Sequence, residues 1–386
     1  MHIIAFLSHF VSLKDMVIIM LNTFDITDFG ARADGKTDCT AAIQAALDEA
    51  GKVRGTVVVP PAEFLCGELK VPAYVTIKGD YAWDWKISYG GSALKLNNKN
   101  AACLLNITGA FGCCISGLSI NGADLGKDIH GIYLNWEDRL ESRKEFNGAE
   151  DTPTVTDCRV SNFSGNAVNY NNVWCCSFRH SMFCFSENGM SINGCDTFIV
   201  DCWFSANRKS GMTSKSFMSG TVSDCRFECN HAHGIEMYNA GVMQFVNNYF
   251  DANDYCGFYS ADDGEDYRGN LVFTGNIFYR DGLISKDNDP RDGFNAHINI
   301  AHAVNIIISS NNFVGDNAGD LIGPKYGIII KQLKSSVIKD NTMQNSSIAD
   351  SILDLGGHKE EVIVKDNTGL NSTVPRGKEY WPRFDD

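Results

Sequence analysis

Proline is scarce in this chain, 8 among 386 residues, while glycine stands at 36. That balance excludes collagenous and proline-rich disordered sequence and fits a turn-rich β protein. Positive charge is also short, with 33 Lys and Arg against 47 Asp and Glu and a formal net charge of −14. Phosphate-backbone binding is dominated by cationic contacts, so no nucleic-acid partner is expected, and neutral glycans are favoured over polyanions as substrates. The 14 cysteines show no paired CxxC motifs at metal-site spacing, and the chain is far too long for a disulfide-stapled mini-scaffold. Buried free thiols are therefore expected, and with them a reducing, cytoplasmic location, secretion being the alternative. No metal or cofactor is expected.

Long hydrophobic runs are missing too. The opening "MHIIAFLSHFVSLKDMVIIMLN" is apolar, but no Lys or Arg precedes the run, no A-x-A-like cleavage site follows it, and it is too interrupted to span a membrane. Residues 1–23 are expected to be an extension outside the fold, from a misassigned start or a signal peptide, and 24–386 a single domain. Collagen-like and coiled-coil segments are absent, which removes the usual support for a fibre.

What is present is a repeat. The short motif "DCRV" (157), "HSMF" (180), "DCWF" (201), "DCRF" (224), "NNYF" (247), "GNIF" (275), "SNNF" (310), "DNTM" (340) places Cys158, Ser181, Cys202, Cys225, Asn248, Asn276, Asn311 and Asn341 at successive gaps of 23, 21, 23, 23, 28, 35 and 30. A second motif, Gly then apolar, variable, apolar, follows each by a short turn: "GIYL" (131), "GMSI" (189), "GMTS" (211), "GIEM" (234), "GFYS" (257), "GIII" (327). Two ladders in phase mean one coil per period. Such a coil cannot bury its apolar residues alone, so coils stack in parallel around an interior of aligned side chains. Helical repeats of similar length are excluded by the period-two apolar pattern and by Gly and Asn at every turn. The small polar rungs suit inward bends between strands.

Near the front, "DCTAAIQAALDEAG" (38–51) predicts a helix capped by Asp38 or Thr40, with Ile43, Ala46, Leu47 and Ala50 on one face. Strand signals "GTVVVPPAEF" and "YVTIKGD" follow, and the helix is expected to plug the open end of the first coil. The stretch "FDITDFGARADGKTDCTAAIQAALDEA" with "GTVVVPPAEFLCGELKVPAYVTIKG" resembles the opening of the pectate lyase superfamily, or glycoside hydrolase family 28-related, domain of the pectin-lyase-like β-helix proteins. The resemblance implies an all-β, single-stranded right-handed parallel β-helix with an N-terminal capping helix. It is specific for fold and weak for function, since the superfamily includes polysaccharide hydrolases, lyases, epimerases, fructan-cleaving enzymes and phage tail proteins.

In that fold one strand face forms a long groove, bordered by loops that lengthen particular coils. Insertions fall at 261–270, 280–295 and 314–327, with an earlier one at 136–153. In "NHAHGIEMYN" (230–239) alternation turns Ile235 and Met237 inward and Glu236 outward, with Thr213 one coil below and Tyr259 one coil above. Outward positions of this ladder are mostly Ser, Thr or Tyr, so a glutamate stands out. Polygalacturonase-type members carry "NTD", "DD", "GHG" and "RIK" on successive coils. "HAHGIEM" resembles the third, with His233 at the histidine, but "NRKSGMTS" replaces the aspartate pair and no "RIK" follows, so that catalytic set is not carried over.

There remains an acidic group: Glu236, Asp254, Asp262, Asp263, Glu265 and Asp266, with Tyr259 and Arg268. Glycoside cleavage needs one protonated and one ionised carboxyl, and coils about 4.8 Å apart bring carboxyls on neighbouring coils into range. Glu236 with Asp262 or Asp263 is the expected catalytic pair. Substrate contacts are expected from His233, Tyr259, Asp254, Asp266 and Arg268, and from the aromatic loop "YAWDWKISYGG" through Trp83 and Trp85, which serves equally well as a subunit contact. Trp136 beside Glu137 and Asp138 is a weaker version of the same platform. The acids of "ADDGEDYRG" also fit a solvated turn, and a calcium site lacks the DxDxDG order.

Three functions compete. The first is glycosidase-type cleavage, by hydrolysis or intramolecular glycosyl transfer, of a neutral or weakly charged oligo- or polysaccharide. The second is a lyase or epimerase acting on uronates, with Arg208, Lys209 or Lys215 neutralising the carboxylate. The third is a non-catalytic glycan-binding or tail-fibre-like protein, which brings a homotrimer with it.

Overall fold

The structure is a computed structural model that describes residues 22–80, 91–137, 150–238, 240–260, 269–282, 284–285, 295–318 and 321–370. The chain winds into a right-handed parallel β-helix, as the ladders predict. One coil runs from Ile235–Met237 through Ala240–Val246 to Tyr249–Asp251, and the next begins at Phe258–Ser260. The three stretches define three faces. Among the described residues the first two faces merge into one sheet of 23 strands, and the third is a sheet of 10.

The strands of the first face that matter here are β1 (His130–Asn135), β2 (Val168–Trp174), β3 (Met190–Cys195), β4 (Met212–Ser214), β5 (Ile235–Met237), β6 (Phe258–Ser260), β7 (Ala296–Ser309) and β8 (Tyr326–Lys334). They pair in parallel and in register, so that Tyr133, Asn169, Ser191, Thr213, Glu236, Tyr259 and Asn299 form one outward column. The residues before and after each, such as Ile235 and Met237, are fully buried.

Two devices hold the coils in register. The Cys and Asn rungs sit at the bend between the second and third faces. The side chain of each accepts the backbone N–H of the rung below: Asn248 Oδ1 from Cys225 at 3.0 Å, Asn276 from Asn248 at 2.9 Å, Asn311 from Asn276 at 3.0 Å, Asn341 from Asn311 at 3.0 Å. The residue ahead of each rung takes the left-handed conformation, with φ of 54° at Asp157, 53° at Asp201, 56° at Asp224 and 54° at Asn247. Asp and Asn adopt that conformation more readily than other side chains, which is why they recur there. A second ladder, Asn207, Asn230, Asn253 and Asp281, runs along the bend between the third and first faces.

Beneath the rungs Phe183, Phe204, Phe227, Phe250, Phe278 and Phe313 stack ring on ring at centroid spacings of 5.2, 4.7, 5.2, 4.5 and 5.0 Å. Glycine recurs at the start of the first face because of this stack. A Cβ on Gly234 would lie 2.6 Å from the Gly257 carbonyl oxygen and 3.0 Å from the Phe250 ring.

The predicted helix is α1 (Thr40–Val53), lying against Thr23–Asp25, Thr56–Val59 and Leu69–Lys70 at the start of the coil stack. Ile43, Ala46, Leu47 and Ala50 are its buried face, and Asp38 Oδ1 accepts the Thr40 N–H at 2.9 Å. None of the 14 cysteines is in a disulfide; Cys114, Cys175 and Cys229 are half-buried and the rest buried. Burial pushes the Cys158 and Cys176 thiols up to about 12, which leaves them inert. No helix among the described residues is long and apolar enough to cross a membrane.

One expectation is corrected here. Trp136 is not a sugar platform: it is buried at 8% exposure, stacks on Phe111 at 6.1 Å, and donates its indole N–H to Asp151 Oδ1 at 2.9 Å.

Candidate active site

Glu236 projects outward from β5 on the first face, half-buried, and from Asn106 to Asn299 it is the charged member of its column. Two hydroxyls hold it. Ser210 donates to Oε2 at 3.1 Å from the preceding coil, and Tyr238, two residues on and therefore on the same side of the strand, donates to Oε1 at 2.8 Å. Burial, then the bond to Glu236 and its charge, push the Tyr238 phenol up to about 12. At neutral pH Tyr238 is thus a proton-bearing donor. Neither hydroxyl was singled out from the sequence, although the i+2 spacing marks Tyr238.

His233 has a different role from the one its resemblance suggests. It belongs to a column at the bend in which side chains accept backbone N–H groups from the coil above. Asn166 N–H bonds His130 Nδ1 at 3.0 Å, Ser210 N–H bonds Asn188 Oδ1 at 3.0 Å, and Cys256 N–H bonds His233 Nδ1 at 3.2 Å. With Nδ1 accepting, the neutral ring carries its proton on Nε2. Burial lowers its pKa from 6.5 to about 3, so it stays neutral. Its ring stacks on Tyr259 at 4.6 Å with 10° between planes, and against Tyr255 at 5.3 Å. His233 therefore anchors Tyr259, one coil above Glu236, from beneath the first face.

Of the acids grouped with Glu236, Asp254 is turned elsewhere: its Oδ2 pairs with His231 Nδ1 at 3.1 Å on the bend before β6. Asp262, Asp263, Glu265, Asp266 and Arg268 lie outside the described residues, as do Trp83 and Trp85. The three cations assigned to uronate binding separate clearly. Arg208 bonds Asp124 at 3.4 Å and the carbonyls of Phe185 and Phe163, and Lys209 pairs with Glu187. Lys215 is exposed on the first face, one coil below Tyr238. No group of three or more metal-ligating side chains exists among the described residues.

A family model described as Rhamnogalacturonase A/epimerase, pectate lyase-like matches residues 23–255. Alginate lyase 7 of Azotobacter vinelandii is 30% identical over 200 residues, which cover 41% of this chain and 23% of that protein. The chain thus spans less than a quarter of that relative's length. Among solved structures, the A-module of mannuronan C-5 epimerase AlgE4 from Azotobacter vinelandii aligns with a TM-score of 0.62 at 17% identity, covering 92% of this chain and 98% of the module. DFA-IIIase from Arthrobacter chlorophenolicus A6, without its lid and in complex with GF2, aligns with a TM-score of 0.61 at 13% identity, covering 90% and 94%. At such identities the two structures speak for the fold alone.

Proposed function

Because the chain belongs to the rhamnogalacturonase A/epimerase, pectate lyase-like family, a group of carbohydrate-active β-helix proteins, we propose that it cleaves a glycosidic bond in a neutral or weakly charged glycan lying in the first-face groove. The observation that carries this reading is Glu236, a carboxylate projecting between Thr213 and Tyr259 and oriented by two hydroxyl donors. A carboxylate oriented in this way suits a base or nucleophile. The reaction also needs a protonated carboxyl, and Asp262 and Asp263, which follow the end of β6 by two and three residues, are proposed for it. Tyr259, held flat by His233, offers a ring face to the sugar, and water or an internal hydroxyl completes hydrolysis or transfer.

A second reading has its own support. Lys215, exposed one coil below Tyr238, makes no ion pair among the described residues and can neutralise a uronate carboxylate while Glu236 or Tyr238 handles the α-proton. Alginate lyase 7 and the epimerase module carry names of that chemistry. Incubation with neutral and uronate oligosaccharides distinguishes the two. New reducing ends without ultraviolet absorbance support cleavage of a neutral glycan. Absorbance from an unsaturated product, abolished by Lys215→Ala, supports the uronate reading and overturns the first.

A further inference from the structure

Around the bend from the groove, the third face carries a second group of polar and aromatic side chains. Phe227, Phe250 and Phe278 point inward, so alternation sends Arg226, Tyr249 and Ile277 outward in one column and Glu228, Asp251 and Tyr279 in the next. The Arg226 guanidinium lies over the Tyr249 ring, 4.4 Å from its centroid, and the Arg280 guanidinium lies over Tyr279 at 4.4 Å. Carboxylates fix both: Arg226 Nε bonds Glu228 at 3.1 Å, and Arg280 bonds Asp251 through two nitrogens at 2.9 and 2.8 Å. Tyr279 donates to Asp316 at 2.6 Å. Desolvation holds the Glu228 and Asp251 carboxyls above their ordinary range.

A network that served only to tie coils together would use up its donors. Arg226 does not: its side chain is 41% exposed and bonds through Nε, leaving its two terminal nitrogens facing solvent without a protein acceptor among the described residues. The Tyr249 hydroxyl has no protein partner among the described residues either, and Ile277, 38% exposed, extends the apolar strip one coil above it. The open Tyr249 hydroxyl and Arg226 guanidinium, with the exposed Ile277 side chain one coil above, suit a sugar whose apolar face packs on Ile277 while its hydroxyls meet the two donors. Arg226 and Arg280 are matched by Glu228, Asp251 and Asp316, so the strip carries no positive excess to attract a polyuronate.

We propose that this strip is a second glycan-binding track, separate from the groove, that takes a neutral oligosaccharide segment along the coil axis. It stands independently of the chemistry assigned to Glu236. The test is affinity gel electrophoresis of the Glu236→Gln protein, in which turnover is suppressed, through gels containing inulin, mixed-linkage β-glucan or galactan, with alginate and polygalacturonate as charged probes. At least one neutral polysaccharide is expected to retard the protein. Arg226→Gln and Tyr249→Ala are each expected to weaken that retardation about three- to tenfold, the size of a lost stacking or guanidinium contact. Because Arg226 is outward and partly exposed, Arg226→Gln keeps the test informative if Tyr249→Ala fails to fold. The track is refuted if no neutral polysaccharide retards the parent protein, if both variants migrate as the parent does, or if only the charged probes respond. Failure of the groove reading shows instead as unchanged turnover in Glu236→Gln itself.

Discussion

Asn276→Ala is the sharpest test of the ladder that fixes the coils. Asn276 is fully buried; its Oδ1 accepts from the backbone N–H and Nδ2 of Asn248 at 2.9 and 3.1 Å, and its Nδ2 donates to the Phe245 carbonyl at 2.9 Å and to Asn311 Oδ1 at 2.9 Å. Truncation strands the Asn248 N–H and removes one bond each from the Phe245 carbonyl, Asn248 Nδ2 and Asn311 Oδ1. At about 1–3 kcal/mol for the buried group left unpaired and less for the three that keep other contacts, the loss comes to about 2–4 kcal/mol. Asn276→Cys should cost about half as much, because a thiol already fills this rung two and three coils earlier and Cys225 Sγ accepts the Cys202 N–H at 3.4 Å. Urea unfolding followed by far-ultraviolet circular dichroism reads the difference as a fall in midpoint at unchanged slope. An Asn276→Ala protein within about 1 kcal/mol of the parent refutes the view that side-chain amides, rather than strand pairing alone, hold the register.

Three further predictions concern the wall and the site. His233 binds a proton in the unfolded chain below about pH 6.5 but in the folded chain only near 3, so its contribution is intact above 6.5 and is lost progressively as pH falls between the two, by up to about 5 kcal/mol. His233→Asn supplies the same acceptor that Asn188 gives its own column, and the variant's melting temperature should fall less steeply than the parent's over that interval; parallel curves contradict the assignment. Phe250→Ala removes a ring stacked at 5.2 and 4.5 Å on its neighbours and should cost about 3–5 kcal/mol by urea unfolding. In Glu236→Gln, the charge that helps push Tyr238 to about 12 is gone, so the tyrosine signal removed by Tyr238→Phe in an ultraviolet pH titration should move to lower pH; an unmoved signal denies the contact.

The coils were legible because an interior of stacked rungs admits few residue types. Cys158 to Asn341 recur as small polar side chains, since each must reach one backbone N–H in the neighbouring coil, and Gly234 and its equivalents recur because a Cβ has no room. The direction of Glu236 followed from strand alternation alone. What escaped were roles set by contacts between distant segments. His233 reads the same in sequence as a ligand or as a rung; only Cys256, 23 residues on, shows which ring nitrogen is engaged. Trp136 looked like a surface platform because its neighbours are acidic, yet its partner Asp151 lies beyond an insertion. Asn207, Asn230 and Asn253 form a ladder as regular as the first, but the residues around them vary too much to mark it as a motif. The Arg226 and Arg280 network depends on side chains from successive coils and has no short-range signature.

Catalysis by the groove carboxylate is tested most directly by comparing the parent with Glu236→Gln, which keeps the shape of the side chain and an acceptor oxygen for one of the Ser210 and Tyr238 hydroxyls, while its amide N–H can donate to the oxygen of the other. Melting temperature and initial rate are measured side by side on a neutral glycan that the parent cleaves. The account predicts a melting temperature close to the parent's and a rate lower by at least about a hundredfold, the scale of a lost acid–base group. A folded Glu236→Gln protein that cleaves at the parent's rate contradicts it.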